Sequence, residues 1–141
     1  MRDRTMAIKL SIPIEPMGAV RMTGRGKFVK PNAQRYLAYK SFIQWKAKQQ
    51  LKEKTLLDGP IAVEIWFKMP IPKSWSKKKQ VAALGEYHIK KPDADNLVKG
   101  VFDALNKLAW HDDNQVSKVT AIKLYGEVPG IDITVQELKG T

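Results

Sequence analysis

The chain contains no cysteine, which excludes a disulfide framework and any thiolate-bound zinc. Histidine is almost as scarce: only His88 and His111 are present, so a structural zinc centre is not expected. Long hydrophobic runs are missing as well. Nothing approaches the roughly 20 continuous apolar residues of a membrane helix, and the charged start Met1 to Met6 has no apolar stretch behind it. These absences predict a soluble, cytoplasmic protein with no membrane partner. A chain of 141 residues is expected to form one domain, 1–141, that buries roughly two-thirds of its unfolded surface.

Acidic residues are in short supply too, 14 against 25 Lys and Arg, for a formal charge of +11. Such a field favours polyanionic partners. The charge is unevenly spread. Residues 1–54 hold thirteen Lys and Arg against three acids, whereas residues 55–141 hold twelve against eleven. Six of those acids, Glu86, Asp93, Asp95, Asp103, Asp112 and Asp113, fall in one short segment. The first part is suited to holding a phosphate backbone, and the second must do something else.

Apolar alternation at Ile8, Leu10, Ile12 and Ile14 predicts a strand over Met6 to Ile14, ended by Pro13 and Pro16. Three glycines between Met17 and Lys27 predict a basic hairpin or loop turning at Thr23 to Gly26. Helical spacing of Tyr36, Tyr39, Ile43, Ala47 and Leu51 predicts a helix from an Asn32 cap to about Lys54. Ile61 to Met69 alternates as a strand, and Ser74 or Ser76 begins a short helix that runs through Leu84 to Gly85. A further helix is predicted from Asp95 or Asn96 to Leu108, buried along Leu97, Val101, Ala104, Leu105 and Leu108, with a polar loop from Trp110 to Asn114. Two closing strands, Gln115 to Glu127 and Gly130 to Leu138, meet at Val128 to Gly130, a turn suited to antiparallel strands. The order is roughly ββ-α-β-α-α-ββ, which predicts an α+β fold with one mixed sheet carrying helices.

The chemistry is concentrated in the stretch from Lys91 to Asn106 and in His111 to Gln115. If the backbone is extended through 93–95, Asp93 and Asp95 share a face, and Lys99 follows Asp95 by one helical turn. Asp112 and Asp113 join them if the chain turns back. Two carboxylates about 5 Å apart repel by roughly 3 kcal/mol at an effective dielectric near 20, so such a cluster calls for a cation. Oxygen ligands with retained water suit Mg²⁺ or Mn²⁺. A divalent ion also resolves the conflict between a basic protein and an acidic spot, because metal-loaded carboxylates attract phosphate and activate water for phosphodiester hydrolysis. In this reading Asp93, Asp95 and Asp113 hold metal, Asp112 is a ligand or an orienter, and Lys99 neutralises charge building on the phosphate.

Other residues have plainer roles. An aspartate beginning a helix commonly caps it, and only the pairing with Lys99 and the second Asp-Asp favours metal over capping at Asp93 and Asp95. Asp103, four residues from both Lys99 and Lys107, reads as a helical ion-pair partner outside the site. Lys73, Lys77, Lys78 and Lys79 read as a solvated face. Arg21, Arg25, Lys27 and Lys30 are the candidates for phosphate contact. Trp45, Trp66, Trp75 and Trp110 read as core or interface residues, and His88 and His111 as incidental.

The residues Pro92-Asp-x-Asp-Asn-Leu-x-Lys99, Asp103-Ala-Leu105 and Asp112-Asp-x-Gln115 resemble the pattern of the RusA-type Holliday junction resolvases. The glycine- and arginine-bearing loop before Tyr36 is similar to that family too, whereas the lysines from Lys73 to Lys79 match no part of its pattern. The resemblance implies a Mg²⁺-dependent, homodimeric endonuclease acting on four-way DNA junctions and often found in prophages. It implies Asp93, Asp95 and Asp113 as catalytic metal-binding carboxylates and Lys99 as the essential lysine. A pair of subunits also matches a substrate that needs two symmetry-related cuts. The competing readings are a non-catalytic, architectural DNA-binding protein and a metal nuclease acting on RNA or on other branched DNA.

Overall fold

A computed structural model describes residues 6–21, 30–52 and 55–139. Four strands form one mixed sheet: β1 (Ala7–Ile12), β2 (Ile61–Met69), β3 (Val116–Tyr125) and β4 (Gly130–Glu137). They are accompanied by helices α1 (Pro31–Leu51), α2 (Lys77–Ala83) and α3 (Ala94–Leu105), and by a 3₁₀ turn at Asp113–Gln115. The α+β class and the order of elements are as the sequence predicts. Residues 15–21 contain no strand, and the rest of the predicted basic hairpin, with Arg25 and Lys27, lies outside the described residues.

The sheet order is β1-β4-β2-β3, with β2 parallel to β3 and antiparallel to β4. The last two strands therefore run antiparallel but are not neighbours, because β2 lies between them. The link from β3 to β4 crosses the end of β2 closely: the Gly126 amide donates to Met69 O at 2.9 Å, and a Cβ at Gly126 would stand 2.9 Å from Lys68 Cβ. A glycine leaves room for that crossing.

Ile61, Val63, Ile65, Phe67 and Met69 of β2, Ile131, Ile133 and Val135 of β4, and Ile8, Leu10 and Ile12 of β1 are all buried. α1 and α3 cover that face through Tyr36, Tyr39, Ile43, Ala47 and Leu51 from one helix and Leu97, Val101, Ala104 and Leu105 from the other. Burying ten such aliphatic side chains contributes about 15–30 kcal/mol before chain entropy is counted. The opposite face is open, and there Lys68 pairs with Asp132 at 3.1 Å.

Several details differ from expectation. α1 begins at Pro31, with Lys30 in the capping position and no side-chain cap, because proline's fixed φ and missing N–H suit the first helical residue. α3 stops at Leu105 rather than Leu108, since Lys107 adopts φ +66° and breaks the helical path. Trp110 is not part of a polar loop: it is fully buried, edge-on to Phe102 at 5.3 Å. Trp45 and Trp66 are 55% and 38% exposed, so the core placement fails for these two. Lys73, Lys77, Lys78 and Lys79 are exposed, as a solvated face requires.

Candidate active site

The backbone is extended at Asp93 (φ −67°, ψ 149°), and this residue occupies the N-cap of α3, but its side chain makes no capping hydrogen bond. Asp95 is already inside the first turn, where one carboxylate oxygen accepts from the Asn96 amide at 2.9 Å. The premise of an extended run through 93–95 is therefore corrected: the helix starts at Ala94. The two carboxylates nevertheless share an open hollow of about 600 Å³ lined by Lys91, Pro92, Asp93, Asp95 and Asn96. Both side chains are exposed, and among the described residues no lysine or arginine forms an ion pair with either.

Two supports hold this end of α3, and neither announced itself in the sequence. The Asn96 side chain donates to Ala19 O at 3.2 Å while the Ala19 amide donates to Asn96 O at 3.2 Å, fastening the 16–20 segment across the start of the helix. The fit is tight: a Cβ on Gly18 would lie 2.5 Å from Asn96 Nδ2 and 3.2 Å from Pro92 Cβ. Arg21, just after this strap, and Lys30, at the N-cap of α1, are both exposed. From β3, Lys123 Nζ donates at 2.7 Å to both Lys90 O and Pro92 O, holding the chain that leads into Asp93.

The second acidic pair is engaged differently. The Asp112 side chain caps the 3₁₀ turn by accepting from the Asn114 amide at 3.2 Å, with Gln115 completing a capping box, and it pairs with Lys107 at 3.3 Å. The Asn114 amide and Lys107 hold its carboxyl below the usual range. Asp113 accepts from the buried Trp110 indole at 2.6 Å, and its own amide donates to Asn106 Oδ1 at 3.0 Å. Burial raises the Asp113 carboxyl against the pull of that indole N–H, and the nearby charges of Asp112 and Asp103 raise it further.

Between the two pairs, Lys99 and Asp103 form the expected ion pair at 3.8 Å, and Asp103 also accepts from Tyr36 Oη at 2.7 Å. Burial and this neighbour push the Tyr36 hydroxyl well above its ordinary range, so it stays a donor. His111 pairs with Asp58 at 3.0 Å rather than with the acids beside it.

Asp93 and Asp95 thus stand at the N-terminal end of α3, and Asp112 and Asp113 beyond its C-terminal end. Twelve helical residues span about 18 Å. Among the described residues, no three histidine or acidic side chains gather into a metal-binding group, so the two pairs do not meet within this chain. The chemistry of the first pair does fit a hard divalent ion: carboxylate oxygens, an open approach and room for retained water are what Mg²⁺ takes, commonly through only one or two carboxylates.

A basic chain with a two-carboxylate hollow that no described lysine or arginine pairs with, and a lysine one turn along, has the features of a metal-dependent phosphodiesterase. The family model described as endodeoxyribonuclease RusA matches residues 13–136, and the chain belongs to that family of nucleases. It is also similar to the uncharacterized protein YqaN of Bacillus subtilis (strain 168), 36% identical over 127 residues that cover 87% of each chain.

Proposed function

We propose that this protein is a cytoplasmic, Mg²⁺-dependent, homodimeric endodeoxyribonuclease that resolves four-way DNA junctions in recombination and repair, of a kind carried by prophages. The observation that carries the reading is the Asp93 and Asp95 pair, without an ion-pair partner among the described residues of a chain of charge +11. Such a pair is costly beside DNA unless a cation joins it. A divalent ion bound there would polarise a phosphoryl oxygen and make water a stronger nucleophile at neutral pH. Membership of the RusA family supports the substrate class.

The chain's own residues do the rest. Asp93 and Asp95 provide the oxygen donors at one end of α3, and Asp113, oriented by the Trp110 indole beyond its other end, is the third acid that the family resemblance implies. Lys99 lies one helical turn beyond Asp95 and two-thirds exposed, so its ammonium can follow the charge that builds on the phosphate, while Asp103 limits its swing. Arg21 and Lys30 bracket, along the sequence, the segment that carries Arg25 and Lys27, and these four cations grip the backbone of the arms. Asp112, already used as a cap, orients the turn that presents Asp113.

The test is a synthetic four-way junction incubated with the wild type and Asp93→Asn, in Mg²⁺ or in EDTA. Paired nicks that need both the ion and the carboxylate are expected. Cleavage by the variant, or in EDTA, refutes the mechanism. Competition by duplex, flap and RNA substrates decides the substrate class, and binding without cleavage indicates an architectural protein.

A further inference from the structure

We infer that the groove between α2 and the β3–β4 link is a docking site for an acidic peptide segment of another protein, one that carries apolar side chains among its carboxylates. The inference stands on surface features that the nuclease reading leaves unused, and does not depend on that reading.

The first observation is the groove itself. Pro70 and Ile71 after β2, Val81 of α2, Leu84 just beyond it and Pro129 of the link surround a hollow of about 430 Å³. Ligand sites commonly measure roughly 300–1,000 Å³. Val81 is 68% exposed and Leu84 43%, and Val128, beside Pro129 in the link, is 70% exposed. Single apolar residues on a surface are ordinary, but several around one concavity mark a surface that another molecule covers.

The walls are set before anything binds. Gln80 Nε2 donates to Trp75 O at 2.7 Å, which ties the turn after β2 to α2, and the Ser76 hydroxyl accepts from the Lys79 amide at 3.2 Å. On the other side, the bond from the Gly126 amide to Met69 O holds the start of the link. A ligand is therefore spared the cost of ordering its site.

The second observation is charge. Lys73 lines the groove, and Lys77 and Lys78 precede Val81 by four and three residues, spacings that share a helix face. All three are exposed, and among the described residues none forms an ion pair. Glu127 is the one acid of the lining, so the surround is net positive.

These two halves select the occupant. A phosphate backbone would use the lysines and leave the apolar lining wet. Unpaired bases stack on aromatic rings, and no lining residue is aromatic. Trp75, whose carbonyl meets Gln80, is already engaged: Lys79 Nζ stands 4.1 Å from its ring centre and the Tyr125 ring 5.6 Å away. A peptide with both kinds of side chain uses the whole surface, its apolar groups filling the groove while its carboxylates meet Lys73, Lys77 and Lys78.

The test selects random peptides displayed on phage against the full chain and measures the enriched peptides by fluorescence anisotropy. They should combine Asp or Glu with apolar residues, and bind about tenfold more weakly to Val81→Asp and to Lys73→Glu. Both positions are exposed, so an unchanged Tm is expected for each variant. Ala82→Asp, the same charge change on an exposed residue outside the lining, should leave affinity within about twofold. The same peptides with serine in place of their apolar residues should also bind about tenfold more weakly. Equal binding by the serine peptides would mean that only the overall positive field is felt, and overturns the inference. Enrichment of no peptide, or of peptides without acids, overturns it as well. If Val81→Asp loses affinity for a synthetic junction as far as for peptide, the groove belongs to a nucleic-acid face. If Val81→Asp sediments as a smaller species than the wild type, the groove is a contact between copies of this chain. Either result refutes the assignment to an acidic peptide.

Discussion

Replacing Trp110 with phenylalanine separates what that side chain does for packing from what it does for Asp113. The indole is fully buried against Phe102 and donates at 2.6 Å to the Asp113 carboxylate. Phenylalanine keeps most of the apolar contact but loses the N–H and part of the ring volume. A hydrogen bond to a charged group contributes about 1.5–3 kcal/mol, and the lower end applies to a carboxylate that is still partly solvated. The lost volume adds about 1–2 kcal/mol, well short of full truncation to alanine. The variant should be less stable by about 3 kcal/mol at pH 7, a fall in Tm of roughly 10 °C for a domain of this size.

The two parts respond differently to pH. Asp113 is raised in the folded state, chiefly by burial, and the indole opposes that shift, so the variant's carboxyl must rise further. A raised carboxylate costs stability while it is ionised, and the cost disappears as pH falls through its folded pKa. The deficit should therefore be complete at pH 7 and shrink toward the packing part alone as Asp113 takes up its proton. Urea unfolding of both proteins at several pH values between 7 and 4 measures it. A deficit that does not change with pH, or one below about 0.5 kcal/mol at pH 7, refutes the role assigned to the indole.

Gly18→Ala should cost about 1–3 kcal/mol and lower the junction-cutting rate, since the added methyl must displace Asn96 or Pro92 beside the acidic pair; denaturation and cleavage assays check the two effects. Lys107→Gly should raise stability by about 0.5 kcal/mol, because relief of the +66° φ outweighs loss of an exposed ion pair with Asp112; its urea midpoint decides the sign. His88 is held below its ordinary pKa by burial, then by Lys123 and Lys90, so the unfolded chain takes up that proton more readily. Stability should fall on acidification through about pH 6.5, and His88→Phe should flatten this slope in urea titrations at pH 7.5 and 5.5.

Much of the fold was legible because its signals are local. Ile8, Leu10 and Ile12, the alternation through β2, and the stripe from Tyr36 to Leu51 all mark the faces that end up buried, since strand and helix periods are set by the backbone itself. Ser76 as a helix cap and Gly85 at φ +77° are likewise decided within a few residues. The acidic motif was equally plain in its residue types, and its reading as a site for a cation and a phosphate is the proposal made above.

Contacts between distant segments were not legible. Nothing near Trp110 in the sequence says that its indole turns inward to orient Asp113, and nothing near Lys123 says that it holds the carbonyls of Lys90 and Pro92. Gly18 acquires its importance only when the strap closes on Asn96. The insertion of β2 between the last two strands was hidden for the same reason: a short turn sets the direction of β4, but hydrogen bonding across the sheet sets its neighbour. Composition and pattern alone determined a basic α+β domain with carboxylates suited to a divalent ion. Only the tertiary structure decided that those carboxylates sit at two ends of one helix, because the distance between side chains depends on the path of the chain in space and not on their spacing along it.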